Sequence, residues 1–76
     1  MGDTVDFTSG VFAAYHGLIT GCGFEDLATL RNRGRSGEFI RGYDAGALVA
    51  RMEITPPDDW AEFYAMAVDA AHDAPK

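Results

Sequence analysis

Four carboxylates near the end of the chain, Asp58, Glu62, Asp69 and Asp73, are spaced by four, seven and four residues. On a helix turning about 100° per residue they project within about 60° of one another. The segment that carries them holds no lysine or arginine. Such a row does not cleave or transfer anything; it attracts a cationic surface. Asp59 lies at its margin, and Ala65 and Met66 lie within or beside it and can add apolar contact. Asp58 and Asp59 suit a helix N-terminus, where partial positive charge gathers. Asp69 and Asp73 oppose the dipole and each other, at a cost of a few tenths to about 1 kcal/mol each. Local violations of this kind are enriched in functional surface. A solvated face that only keeps a small protein soluble would carry the same acids.

Arg31, Arg33 and Arg35 alternate around Gly34 in "RNRGRSG", a composition met in segments that bind phosphate or nucleic acid. The same arginines also complement the end of a preceding helix. "GLITGCGFED" is neither a dinucleotide fingerprint nor a P-loop, so its glycines argue for a turn. Asp69 and His72 lack the further ligands that a metal centre needs. Ser9 and Ser36 have no nucleophile-elbow context, and Cys22 has no partner histidine at a telling spacing. A chain of this size also leaves little material for a catalytic cleft. The residues therefore predict no catalytic group, no metal and no cofactor.

Charge is unevenly distributed. Residues 1–30 hold four acids and no base, residues 31–51 five arginines and two acids, and residues 52–76 six acids and one lysine. The chain is acidic at both ends with a basic middle, and its net charge of −6 argues against sequence-independent affinity for nucleic acid. One cysteine allows no internal disulfide, and no secretory signal or membrane-length apolar run is present, so a cytoplasmic, non-membrane protein is expected. One lysine against five arginines, with abundant alanine and glycine, is the usage of a GC-rich genome, bacterial or phage.

The elements that must position these residues are helices. Seventy-six residues with 47% apolar content and nine aromatics suit one domain with a real core. Thr8 or Ser9 can cap a first helix reaching about Gly21, with Val11, Phe12, Tyr15, Leu18, Ile19 and Cys22 as its apolar face. The chain before it, 1–7, reads as an extended or disordered arm, with "TVDF" a brief alternation. A second helix is expected over 24–32, with acids first, arginines last and Gly34 as its stop. Ser36 can cap a third, about 37–53. Thr55 can cap a fourth with Pro56 in its first turn, presenting Trp60, Phe63, Tyr64, Ala67, Val68 and Ala71 along one stripe, and residues 74–76 form a frayed tail.

Gly42 and Gly46 weaken the third helix by about 0.5–1 kcal/mol each relative to alanine, so they must serve a purpose. Four residues apart, they let another helix approach to backbone contact. Gly10, Ala13, Ala14, Gly17 and Gly21 form a matching flat side on the first helix, for a helix of this chain or for another copy. The prediction is a compact all-α domain of three to four helices, with the third central and the fourth packed across it through Trp60, Phe63, Tyr64, Ala67 and Val68.

The expected function is that of a small acidic protein-binding module, an inhibitor or regulator using Asp58, Asp59, Glu62, Met66, Asp69 and Asp73. Its partner would be a basic protein surface, such as that of a nucleic-acid-processing complex. Phage-encoded anti-restriction and anti-CRISPR inhibitors share this size and charge, an analogy of class and not of motif. The alternatives are a homo-oligomeric helical module and a small phosphate or nucleic-acid binder using Arg31, Arg33 and Arg35.

Overall fold

Hydroxyls, glycines and one aspartate set most of the helix ends. The computed structural model describes residues 3–21, 23–52 and 59–73, the side chains of Asp3, Thr4 and Asp73 excepted. Four helices follow in order: α1 (Asp3–Thr20), α2 (Leu27–Asn32), α3 (Gly37–Met52) and α4 (Trp60–Asp73). At the start of α3 the Phe39 amide donates to Ser36 Oγ at 3.2 Å, and the Ser36 hydroxyl donates onward to the Asp6 carboxylate at 3.0 Å. Ser36→Ala should therefore cost about 1 kcal/mol, read as a lower urea midpoint at unchanged slope. Gly34 has a φ of 80°. The Arg35 amide reaches back to the Leu30 carbonyl and the Gly34 amide to that of Arg31, closing α2 as a Schellman turn.

Three helix starts differ from expectation. α1 begins at Asp3, so residues 3–7 are helical and not an extended arm. Tertiary contacts extend it past the local cap signal: the Phe7 ring meets Tyr64 edge-on at 6.4 Å, and Thr8 Oγ1 lies 3.1 Å from the Tyr64 hydroxyl. Thr8 is thus spent on tertiary structure and caps nothing. α2 starts at Leu27 instead of residue 24, because Phe24 and Glu25 are held against α3. The Phe24 ring packs edge-on to Tyr43, and the Glu25 amide donates to the Tyr43 hydroxyl at 2.6 Å. α4 starts at Trp60 with Asp59 as its cap: the Glu62 amide donates to the Asp59 carboxylate at 3.1 Å. Thr55 and Pro56 lie outside the described residues.

The paired glycines are where α1 and α3 touch. A Cβ placed on Gly42 would run into the Phe7 carbonyl, and one on Gly10 into the Phe39 carbonyl, with the Tyr43 nitrogen 2.7 Å away. A Cβ on Gly46 would sit 2.7 Å from that of Ala14. The two backbones therefore meet with no side chain between them, as small residues at four-residue spacing allow. These pairings also show α1 and α3 running in the same sense.

α3 is central. It buries Gly42, Tyr43, Ala45, Gly46, Ala47 and Val49, leaving Arg41, Asp44, Leu48 and Arg51 outward. α4 runs antiparallel to α1, with Trp60 beside Tyr15 and Tyr64 beside Phe7. Phe63 and Ala67 fill the junction of the three long helices, against Val11, Ala45 and Val49. The fourth helix was expected to lay its whole aromatic stripe on the third. Instead Trp60 and Tyr64 rest on α1, because the glycine contact draws α1 and α3 together and leaves α4 a seat that both helices share.

Candidate protein-docking surface

The sequence places six partner-binding residues on or beside α4, and the structure sorts them. Glu62 and Asp69 are exposed. Asp59 is exposed too, but its carboxylate is engaged at the helix start, so it shapes the surface more than it reaches out. Met66 is half-buried against the Val11–Phe63 core, which corrects its assignment as an interface contact. Met66 is nearly opposite Val68 on the helical wheel and turns toward the core edge that the acids leave. Asp58 lies outside the described residues, as does the side chain of Asp73. Glu62 and Asp69 are thus the two acids of the row whose outward position is described.

The arginines are occupied elsewhere. Among the described residues the ion pairs are Arg33–Glu25 at 2.8 Å and Arg41–Glu38 at 3.6 Å, and neither reaches α4. Arg35 lies over the Phe39 ring at 4.7 Å, Arg41 over Phe7 at 5.7 Å and Arg51 over Phe24 at 5.8 Å. Aromatic faces hold guanidinium groups by about 0.5–1 kcal/mol at exposed sites. The basic middle of the chain is therefore folded largely onto its own rings and carboxylates.

This bears on the Arg31, Arg33 and Arg35 trio. Arg33 Nη1 donates to both oxygens of Glu25, and Arg35 is stacked, which leaves Arg31 outward in the last turn of α2. The three do not converge on one point. A recess of about 340 Å³ beside them is walled by Phe24, Phe39, Tyr43, His16, Arg35 and the Glu25 carboxylate, a lining more aromatic than phosphate-like. His72 and Arg41 border a second recess, of about 220 Å³, with Phe7 and Tyr64. No three His, Cys, Asp or Glu side chains among the described residues come close enough to hold a metal ion.

One feature of the surface was not anticipated. Phe12 and Ile19, assigned to the core face of the first helix, are 52% and 53% exposed, and Val5 is 65% exposed. α1 gives its flat side to α3 and gives Phe7, Val11, Tyr15 and Leu18 to the α4 side, so nothing is left to cover the arc between. The seven-residue interval of 5, 12 and 19 was the available signal: one narrow row, distinct from the row of 11, 15 and 18. The Phe12 ring meets Trp60 edge-on at 5.4 Å, so the exposed row continues directly into the start of α4. Gly17, a candidate contact with a second copy, is closed by the Gly23 carbonyl of its own chain.

No helix among the described residues is long and apolar enough to cross a membrane. Comparison with protein-family models, with curated proteins and with solved structures finds no match to this chain.

Proposed function

We propose that the protein is a small acidic protein-binding module, an inhibitor or regulator that docks the outward carboxylates of α4 on a basic surface of another protein. One observation carries the reading: Glu62 and Asp69 stand exposed while the described arginine contacts go to Glu25, Glu38 and three phenylalanine rings. The chain satisfies its cations internally and leaves its acids to the outside. A net charge of −6 would speed encounter with a cationic groove, and that attraction would weaken with salt. A nucleic-acid-processing protein offers such a groove, and blocking it, as phage anti-restriction and anti-CRISPR inhibitors do, is the form of regulation that this size and charge favour.

The test is affinity capture from an extract of the native host. Wild type should recover basic proteins that an Asp58→Asn/Glu62→Gln/Asp69→Asn/Asp73→Asn variant does not. The same proteins should be lost when salt rises from about 0.1 M to about 1 M, which shortens the screening length from about 10 Å to about 3 Å. The Asp69→Asn and Asp73→Asn changes relieve like-charge repulsion four residues apart, so the variant should fold at least as well as wild type. Equal recovery by both proteins would contradict the proposal.

A further inference from the structure

The acids of α4 border an apolar row. Val5, Phe12 and Ile19 lie along four turns of α1, about 21 Å at 1.5 Å per residue. Exposed Ala61 and Ala65 stand on the neighbouring side of α4, next to the arc of Glu62 and Asp69. The Phe12–Trp60 contact and the Thr8–Tyr64 hydrogen bond tie the two helices into one face. Three large apolar side chains aligned on one exposed row are a docking feature and not a packing requirement.

We infer that this composite face seats an amphipathic basic helix of the partner, its apolar side on Val5, Phe12 and Ile19 and its lysine or arginine flank toward Glu62 and Asp69. The inference rests on the acidic-face reading and adds the shape of what binds. Length and period favour a helix: the row is straight, narrow and four turns long, which matches apolar anchors at i, i+3, i+4 and i+7. Charge decides against other occupants. A second copy would bring its own net charge of −6, with its own Glu62 and Asp69 flanking the same row. Anionic membrane surfaces would be repelled by those carboxylates.

Two synthetic peptides of about 18 residues provide the probe, long enough to span the row. Both contain the same leucines and lysines; one has helical apolar period, the other a scrambled order. Wild type should bind the periodic peptide about tenfold more tightly than the scrambled one. Val5→Ser/Ile19→Ser should abolish that preference and leave the scrambled peptide's binding unchanged. These two side chains avoid the aromatic cluster, and unchanged Trp60 fluorescence would report an intact fold. Glu62→Gln/Asp69→Asn should weaken both peptides. Equal binding of the two peptides by wild type overturns the helix inference, even if the Glu62/Asp69 variant still weakens both and so sustains the acidic reading. Binding indifferent to Glu62 and Asp69 overturns both. Sedimentation showing a wild-type dimer that Val5→Ser/Ile19→Ser dissolves would assign the row to a second copy and also overturn the inference.

Discussion

A Gly42→Ala variant is expected to lose about 3 kcal/mol of stability, although alanine is the better helix former. The intrinsic preference would contribute about 0.5–1 kcal/mol in the opposite direction, so an observed loss isolates the tertiary contact. The new methyl group would occupy the position of the Phe7 carbonyl, which is backbone and cannot move aside as a flexible side chain would. α1 and α3 would have to separate along their shared length, and overpacking of this kind costs about 1–3 kcal/mol or more. Gly10→Ala should behave alike, since its methyl group would meet the Phe39 carbonyl. Gly37→Ala is the control: no atom lies within 4 Å of a Cβ there, and the change should be neutral or slightly stabilising. Urea denaturation of the three variants measures all of this. Equal stability of Gly42→Ala and wild type would mean that the helices do not meet at their backbones.

The second large effect is expected at Phe63. Its side chain is fully buried at the junction of α1, α3 and α4, with the Tyr15 ring 5.2 Å away. Phe63→Ala should cost about 3–5 kcal/mol, from lost transfer energy and the cavity left behind. For 76 residues the total stability is about 4–11 kcal/mol, so this variant should be partly or wholly unfolded at room temperature. Phe12→Ala offers the comparison. The same residue type, half exposed and touching Trp60 and Tyr15 only at its edge, should cost about 1 kcal/mol. Thermal unfolding followed by circular dichroism separates the two. Similar losses from both would contradict the placement of Phe12 on the surface.

What could be read in advance, and what could not, follows from which interactions are local. Ser36, Gly34 and the four-residue glycine spacing act through their own few residues, and the helix ends and helix contact they imply are present. The start of α1 was misplaced because Thr8 resembles a cap but bonds to Tyr64, 56 residues away. The start of α2 was misplaced because Tyr43 holds Glu25 from a distance. For α4, two aspartates and a threonine competed as caps within five residues, and only the fold shows Asp59 in that role. Acid spacing placed Glu62 and Asp69 outward correctly, since helical period alone decides it. Met66 and Phe12 were exchanged, one taken for surface and the other for core. Helical period reveals that a side chain is apolar and on which arc it lies, but not whether another helix covers that arc.

The central claim is that the outward face of α4, bordered by the Val5–Phe12–Ile19 row, is where the protein meets its partner. Amide chemical-shift mapping with a partner recovered from the native host tests it most directly. The account predicts that the largest shifts and line broadening fall on Glu62, Ala65 and Asp69 and on the Phe12 side of α1. Perturbations centred instead on Arg31, Arg33 and Arg35, with α4 unmoved, would contradict it.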